Sequence, residues 1–503
     1  MNLSHFLSVI EGSQKALLSS SFSALAATEV LGITASTKEV SAGWVFIAVK
    51  GTKVDGHDYI SDAIGKGAIA IIVENLDKVP ADPVVPFIPV QNSRETLDLL
   101  AAEFFHNPSR DLFTFGVTGT NGKTSITYLL EWVLSSVSVP TGVLGTINHH
   151  LAEKIWPTSM TTPDPVALQG RLREMVNAGA RAVAMEVSSH ALDQHRADGV
   201  DFNTVIFTNL TRDHLDYHTN FESYFAAKQR LFTDLLWKTA KAPSAAVINI
   251  DDSWGKKMRV AADSEVLTYG KDAADFCYRV VSQSFSTTQF ELIVAGTSYK
   301  CDLPMCGLHN VANAVAVIAA ATTAGIEIEK AIHALETFPG VPGRMQRVKN
   351  DRALHVFVDY AHSPDALDNV LSSLHQIKQQ LSEKSPGQIW VIFGCGGDRD
   401  SGKRPLMAEV TCRWADQIMV TSDNPRSEDP DKIIEEIVRG VPNEYRQKVS
   451  TQADRRQAFK QVFEMARAND VVLIAGKGHE DYQIIGTEKL HFSDFATAEE
   501  LLR

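Results

Sequence analysis

The stretch that decides the fold reads Phe115-Gly116-Val117-Thr118-Gly119-Thr120-Asn121-Gly122-Lys123-Thr124. An apolar strand leads into a glycine-rich turn, and a helix then begins at the lysine. Small residues let consecutive backbone N–H groups face one anion, while the helix N-terminus, the lysine charge and a hydroxyl that can bind Mg²⁺ complete the attraction. The pattern therefore predicts a phosphate-binding loop for a nucleoside triphosphate. Its predicted members are Gly119, Thr120, Asn121, Gly122, Lys123 and Thr124.

One position departs from the strict G-x-x-x-x-G-K-T spacing. Val117 occupies the place of the first glycine, so an ordinary glycine turn remains an alternative. The residues that follow favour the phosphate loop, because apolar side chains recur with the period of a helix. They are Ile126, Leu129, Leu130, Val133 and Leu134. This spacing predicts one apolar helix face packed on a sheet.

Length and composition limit the class of protein. A chain of 503 residues is too long for one core, and about three domains are expected. The net charge of −13 argues against a nucleic-acid-binding surface. The five cysteines form no CxxC pair, which favours reduced thiols. Without a leader pattern or an apolar run of ~18 residues, we expect a soluble, cytoplasmic monomer with no membrane insertion.

Alternating apolar runs and helical patterns predict an α/β fold with three domains, at residues 1–110, 111–342 and 343–503. In the first, residues 44–49 and 68–74 are predicted strands. The central domain is expected to contain a mostly parallel sheet of the phosphate-loop ATPase type. The last domain repeats the alternation, which predicts a second, doubly wound, Rossmann-like sheet.

Two polar residues follow predicted strands of the central domain. Glu186 comes directly after the apolar run 181–185, and His214 follows the run 205–207. Ligands bind beyond the carboxyl ends of strands in open α/β sheets, so both residues should converge on the phosphate loop. Each alone is more often structural. Together with the loop they favour a metal–nucleotide site.

The last domain carries four polar clusters, each at the carboxyl end of a predicted strand. The strands are 355–361, 389–394, 418–423 and 471–476, and the clusters are 359–362, 394–400, 423–426 and 476–482. Arg399 and Arg426 supply planar forks suited to carboxylates, while Glu480 can hold an ammonium group. This set predicts a pocket for a zwitterionic amino acid. The alternative is that these are solvated loop charges.

Taken together, the motifs resemble the Mur ligase family of peptidoglycan synthesis, in order and over nearly the whole chain. They are Thr118–Thr124, Glu186–His190, Asn209–His214, Gly343–Met345, Asp359–His362 and Gly476–Glu480. Within the family, residues 394–405 and Asp423-Asn424-Pro425-Arg426 resemble the members that add meso-2,6-diaminopimelate to UDP-N-acetylmuramoyl-L-alanyl-D-glutamate. A lysine-adding member or a ligase similar to folate polyglutamate synthetases is the alternative.

The resemblance implies an ATP-dependent, ADP-forming amide ligase. In that family ATP phosphorylates the D-glutamate side-chain carboxylate, and the amine of the incoming amino acid attacks the acyl phosphate. The implied catalytic residues are Lys123, Lys228 and His214. The implied Mg²⁺ ligands are Thr124, Glu186, His214 and Lys228, the last as a carbamylated lysine.

The resemblance also assigns binding residues. For ATP it implies the loop residues together with Asn310, Arg344 and Asp359. For the UDP-sugar dipeptide, which the first domain is expected to bind at its uridine end, it implies Ser36, Thr161, Thr162, Ser188, Gln194 and Arg196. For diaminopimelate it implies Arg399, Asp423, Asn424, Pro425, Arg426, Gly476 and Glu480. The segment 35–38 lacks the Asp-Ser-Arg often seen in the family, which leaves the uridine contacts open.

Overall fold

The computed structural model describes residues 1–10, 22–51, 54–158, 160–214, 217–239, 241–242, 244–381 and 387–503. The chain divides into two compact units. The first comprises Met1–Lys123, Leu134–Thr268 and Ala319–Gly325, and the second comprises Thr124–Val133, Tyr269–Ile318 and Ile326–Arg503. The division into three domains at residues 110 and 342 stays a prediction.

A small parallel sheet lies near the N-terminus of the first unit. Its strands, in spatial order, are β1 (Gly32–Thr34), β2 (Trp44–Ile47), β3 (Ala70–Val73) and β4 (Phe87–Pro89). Helices Leu3–Leu7, Ile60–Gly65 and Ser93–Phe104 accompany it. The interior of β3 is fully buried, as its run of Ala, Ile, Ile and Val requires. Both strands predicted in this region are confirmed.

The second sheet of the first unit holds the phosphate loop. Its strands are β5 (Phe113–Thr118), β6 (Thr141–Leu144), β7 (His149–Leu151), β8 (Lys154–Trp156), β9 (Ala182–Glu186), β10 (Thr204–Phe207) and β11 (Ala245–Asn249). They lie in the order β11-β10-β5-β9-β6-β7-β8, and only β7 and β8 run antiparallel to their neighbours. Strand β5 pairs with β9 on one side and β10 on the other. The carboxyl ends of these three strands therefore share one edge of the sheet.

Helices connect these strands, as the alternating pattern predicts. They span Lys123–Ser136, Pro165–Asn177, Ser189–Asp193, Phe221–Arg230 and Leu236–Lys238, with a π-helical turn at Leu231–Leu235. The five apolar residues predicted on one face of the helix Lys123–Ser136 are each at most 1% exposed. The predicted apolar face is confirmed. No helix in the described ranges is both long and apolar enough to cross a membrane.

The second unit contains a six-stranded sheet. Its strands are β16 (Gln346–Val348), β17 (His355–Asp359), β18 (Ile389–Phe393), β19 (Gln417–Thr421), β20 (Val449–Gln452) and β21 (Val471–Ala475), in the order β16-β17-β21-β18-β19-β20. All pair in parallel except β16. Helices Pro364–Gln380, Lys403–Trp414, Pro430–Arg439, Arg455–Met465 and Asp494–Leu502 accompany it. The four predicted strands are confirmed, and their polar clusters share one edge.

The second unit also contains antiparallel strands that the expectation of a mostly parallel sheet did not include. Strand β12 (Glu265–Gly270) leads into β13 (Phe276–Gln283), β14 (Thr288–Val294) and β15 (Thr297–Leu303), which form an antiparallel meander. Residues along β14 and β15 alternate between buried and exposed positions. Such alternation is typical of a sheet with one solvated face. Helices Leu308–Thr323 and Ile328–Leu335 follow, and a hairpin of β22 (Tyr482–Ile485) and β23 (Glu488–His491) lies near the C-terminus.

A fully buried ion pair joins two strand ends of the six-stranded sheet. Arg455 and Asp494 form two hydrogen bonds, of 2.6 and 2.7 Å, and neither side chain is exposed. The guanidinium group also donates to the carbonyl oxygens of Ser422, after β19, and Ala475, at the end of β21. The arginine therefore holds together the backbone from which two of the polar clusters extend.

We expect Arg455→Met to lower the free energy of unfolding by about 3–5 kcal/mol, because it leaves the Asp494 carboxylate buried without its partner. Chemical denaturation of the purified protein measures this change. Arg456→Met is the matched control, since its ion pair with Glu500 is half exposed and solvent screens it, so its loss should change the free energy of unfolding far less. Equal losses in the two variants would contradict this account.

Candidate active site

The phosphate loop is shaped by a close approach between its first glycine and the segment that follows β10. Gly119 has a φ of +150°, and a Cβ atom built there would lie 1.8 Å from the Thr208 hydroxyl oxygen. The same hydroxyl donates to the carbonyl oxygen of Asn121 at 2.6 Å. Gly122 has a φ of +92° and precedes the helix that begins at Lys123. Only glycine fits the first position without moving the neighbouring segment.

The segment after β10 also holds the middle of the loop. The backbone N–H of Thr120 donates to the carbonyl oxygen of Asn209 at 2.9 Å. The N–H of Asn121 donates to the side-chain oxygen of Asn209, also at 2.9 Å. The Thr120 hydroxyl lies 3.1 Å from the hydroxyl of Tyr224. The motif Asn209–His214 therefore supports the loop through its backbone as well as its side chains.

Two lysine side chains converge on one carbonyl oxygen of the loop. Lys123 Nζ and Lys228 Nζ each donate to the Gly119 oxygen at 2.9 Å, and Lys123 also donates to Thr120. Lys228 is buried, with its Nζ 4.6 Å from the centre of the Tyr224 ring. Burial, reinforced by the charge of Lys123, lowers the pKa of Lys228 well below its usual range. This shift favours the unprotonated amine beside the loop.

His214 lies near the same aromatic ring. Its ring centre is 6.2 Å from that of Tyr224 and 4.8 Å from that of His190. Its backbone has a φ of +53°, in the left-handed region that a histidine seldom adopts. The two residues predicted to share a metal ion, His214 and Lys228, therefore both lie beside Tyr224.

The carboxylate of Glu186 is buried at the end of β9, and Thr146 donates to both of its oxygens. The backbone N–H of Thr146 donates to Oε1 at 2.8 Å, and the Thr146 hydroxyl donates to Oε2 at 3.0 Å. This arrangement orients a negative charge at the strand edge, which suits Mg²⁺ with its preference for oxygen ligands. Across the described residues, no group of three or more His, Cys, Asp or Glu side chains forms a complete metal cage.

The residues predicted to bind the UDP-sugar dipeptide form a hydrogen-bonded chain beside Glu186. The Thr161 hydroxyl contacts that of Thr146, and the Thr162 hydroxyl donates to the Glu186 carbonyl and accepts from the Ser188 N–H. Arg196 donates to the Thr162 carbonyl at 2.7 Å and to the Gln194 side chain at 3.2 Å. The sixth predicted residue is placed elsewhere. Ser36 follows β1, where its N–H donates to Thr34.

The residues predicted to bind ATP from the second unit are also held in place. Asp359, at the end of β17, accepts from the backbone N–H groups of Met345 and Ala361 at 2.7 and 2.8 Å. Burial raises its pKa. The Arg344 guanidinium lies 4.6 Å from the centre of the Tyr360 ring and 3.5 Å from the Thr124 hydroxyl. Asn310 lies within a helix and donates to the carbonyl of Cys306.

The residues predicted to bind an amino acid surround a buried lysine. Lys477 Nζ is 3.4 Å from Asp423 Oδ1, 3.1 Å from Asn424 Oδ1 and 3.2 Å from Glu480 Oε2. Asn424 in turn donates to Glu480 at 3.0 Å. Gly476, with a φ of +113°, starts the segment that carries the lysine.

The arginines of this cluster lie around a run of glycines. Arg426 donates to the Gly397 carbonyl at 2.7 Å. A Cβ atom on Gly396 would be 2.9 Å from the Arg426 guanidinium and 3.7 Å from Arg399 Cγ. On Gly397 it would be 1.9 Å from the Pro425 carbonyl oxygen. The structure brings all seven predicted amino-acid-binding residues to one edge of the six-stranded sheet.

Comparisons with known proteins agree with this geometry. Family models match the chain at residues 29–105 (Mur ligase family, catalytic domain), 117–321 (Mur ligase middle domain) and 343–478 (Mur ligase, glutamate ligase domain). The chain belongs to the Mur ligase family. The UDP-N-acetylmuramoyl-L-alanyl-D-glutamate–2,6-diaminopimelate ligase of Geobacter sulfurreducens is 42% identical over 483 residues, covering 93% of each chain.

Solved structures support the same family. A UDP-N-acetylmuramoyl-L-alanyl-D-glutamate–2,6-diaminopimelate ligase matches with a TM-score of 0.67 and 33% identity, covering 94% of each chain. The MurF ligase of Thermotoga maritima in complex with ADP matches with a TM-score of 0.59 and 21% identity, over 94% of this chain and 96% of that one. The second likeness shows the fold alone.

Two residues of this Mur ligase had no role in the sequence analysis. Thr146 supplies both hydrogen bonds to Glu186, and Lys477 organises the amino-acid cluster. Lys477 lies inside the motif Gly476–Glu480, but a lysine in such a glycine-rich turn is not expected from the sequence to be completely buried. Thr146 follows the apolar strand β6, and its position after a strand was the one available signal.

We expect Gly119→Ala to weaken nucleotide binding by at least about tenfold, or ~1.4 kcal/mol. The added methyl group meets the Thr208 hydroxyl and strains a positive φ, so the loop must move. Titration calorimetry with ADP and Mg²⁺ measures the affinity. Gly65→Ala, where a Cβ meets nothing within 4 Å, should leave it unchanged. An unaltered affinity in the Gly119 variant would show that the loop is not the nucleotide site.

Proposed function

We propose that this Mur ligase joins meso-2,6-diaminopimelate to UDP-N-acetylmuramoyl-L-alanyl-D-glutamate in the cytoplasm, consuming ATP and releasing ADP and phosphate. The product is a precursor of the cell wall, so the reaction serves cell shape and division. The observation that carries the proposal is the near-full-length likeness, at 42% identity, to curated UDP-N-acetylmuramoyl-L-alanyl-D-glutamate–2,6-diaminopimelate ligases. The assembled cluster around Asn424 and Arg426 supports it.

The proposed chemistry follows from the poor reactivity of a carboxylate. Transfer of a phosphoryl group to the D-glutamate side chain replaces an oxide leaving group with phosphate, and the diaminopimelate amine then attacks the acyl carbon. Both steps concentrate negative charge on oxygen. The Lys123 ammonium group donates to the carbonyl oxygens of Gly119 and Thr120 in the loop, so it is placed beside the phosphate oxygens of a bound ATP. Loop N–H groups position the rest of the triphosphate.

The residues present fit a role for Mg²⁺. Bound Mg²⁺ would neutralise phosphate charge in both steps. Glu186 offers an oriented carboxylate, and Thr124 offers a hydroxyl group. Both are oxygen donors of the kind that Mg²⁺ prefers. The Lys228 amine offers a single nitrogen, whereas Mg²⁺ prefers oxygen ligands. Reaction of its unprotonated form with carbon dioxide would form a C–N bond, release the amine proton and yield a carbamate with two oxygen donors.

Carbamylation of Lys228 has a direct test. Protein equilibrated with ¹³C-bicarbonate at neutral pH should show a carbamate carbon signal by NMR, because burial lowers the pKa of Lys228 and so favours the unprotonated amine that reacts with carbon dioxide. The signal should vanish in Lys228→Met and persist in Lys256→Met, which removes a lysine from an exposed turn. A spectrum identical in wild type and Lys228→Met would rule the modification out.

Specificity for diaminopimelate over lysine is proposed to depend on Arg426. Lysine lacks the distal carboxylate, so an arginine committed to that group would be left without its partner. Sites built on such polar pairing reject the truncated analogue by roughly 10⁴-fold. A lysine-adding ligase is the alternative, and folylpolyglutamate synthases share the fold at 16% identity.

One assay decides between these functions. ADP release should require the UDP-linked dipeptide and diaminopimelate together, and lysine or a folate should not replace either substrate. We expect Arg426→Ala to raise the apparent KM for diaminopimelate at least tenfold while the KM for ATP stays within about twofold. Equal use of lysine and diaminopimelate by the wild type would contradict the proposed specificity.

A further inference from the structure

Lys477 is the centre of the amino-acid cluster, although none of the roles considered so far includes it. Its side chain is completely buried. Its ammonium group contacts Asp423, Asn424 and Glu480, which are all among the residues proposed to bind diaminopimelate. A buried ammonium group is costly unless it is paired and hydrogen-bonded. The site itself supplies that pairing.

The two kinds of charge lie in different parts of the cluster. Asp423 and Glu480 share Lys477, so these three side chains alone have a net charge of −1. The side chains of Arg399 and Arg426 lie beside Gly396. Such a division suits a zwitterionic amino acid, with its ammonium group at the carboxylates and a carboxylate at the arginines.

The hydrogen bonds within the cluster engage only one of the two carboxylate oxygens of Glu480. Lys477 and the Asn424 amide both bind Oε2, at 3.2 and 3.0 Å. In the part of the chain that the structure describes, no hydrogen bond or ion pair is made by Oε1. The carboxylate is thereby fixed in rotation, with one oxygen held by the protein and the other left for a ligand.

Through Asn424, Lys477 also holds the backbone of the segment Asp423–Arg426. The side-chain oxygen that accepts from Lys477 also accepts from the N–H of Ile484, at 3.0 Å. The Arg426 N–H donates to the carbonyl of Ile484 at 3.1 Å. Lys477 and the hairpin β22–β23 therefore hold the segment Asp423–Arg426 from two sides.

We propose that Lys477 is a positioning residue for the amino-acid substrate. It holds Glu480 by Oε2 and Asn424 by Oδ1, so that Glu480 Oε1 receives the substrate's ammonium group and Arg426 keeps its place for the carboxylate. The inference rests on the proposed function. It assigns to a side chain that need not touch the substrate the task of organising the groups that do.

The test compares Lys477→Met and Lys477→Gln with the wild type in steady-state ligation assays. In Lys477→Met we expect the KM for diaminopimelate to rise roughly 10- to 100-fold, as for the loss of a buried hydrogen-bonded charge. The KM values for ATP and for the UDP-linked dipeptide should stay within about twofold. Lys477→Gln retains a hydrogen-bond donor and should recover part of the affinity.

Lys378→Met is the matched control. Lys378 forms a partly buried ion pair with Asp416, in the same unit and outside the amino-acid cluster, and its loss should leave the KM for diaminopimelate unchanged. A second readout omits diaminopimelate altogether. Acyl phosphate trapped with hydroxylamine, from ATP and the UDP-linked dipeptide, should form at the wild-type rate in Lys477→Met.

Each outcome bears on the proposal. An unchanged KM for diaminopimelate in folded Lys477→Met overturns it, as does an equal rise in all three KM values. Failure of both variants to fold, seen by thermal unfolding, would assign Lys477 a purely structural role and also overturn it. Failure of the wild type to ligate diaminopimelate would instead overturn the proposed function, which keeps the two results distinct.

Discussion

The phosphate loop depends on a single carbonyl oxygen to which two lysine side chains donate. Gly119 can present that oxygen because it has no side chain to collide with Thr208. The convergence places Lys123 where it can meet phosphate and Lys228 where burial and a neighbouring charge lower the pKa of its amine. One close approach of two backbone segments thus sets both the charge and the reactivity of the site.

The second unit applies a similar constraint in a different chemical setting. Lys477 is buried against two carboxylates and an amide, just as Lys228 is buried against a carbonyl and an aromatic ring. Both lysines lie near the carboxyl ends of parallel strands, where backbone turns leave polar groups without sheet partners. In the first unit burial lowers the pKa of the lysine, whereas in the second the lysine is paired with two carboxylates.

Much of the architecture was predictable from local pattern. The apolar face of the helix Lys123–Ser136 and the four main strands of the six-stranded sheet follow directly from periodicity. The meander β13–β15 was missed because its strands are half exposed and their alternation is weaker than a continuous apolar run. The placement of Ser36 could not be inferred either, since its sheet is separate from the one that carries Thr161 and Thr162.

The sequence by itself determined the family and predicted the phosphate loop and the amino-acid-binding side chains, because these depend on residue types at short spacing. Only the tertiary structure decided which groups hold the others in place. Thr146 reaches Glu186 across 40 residues, and Lys477 reaches Asn424 across 53. Burial and pairing at such separations arise from chain packing. No local pattern records that Lys228 is buried with a lowered pKa or that Lys477 and Asn424 hold the same oxygen of Glu480.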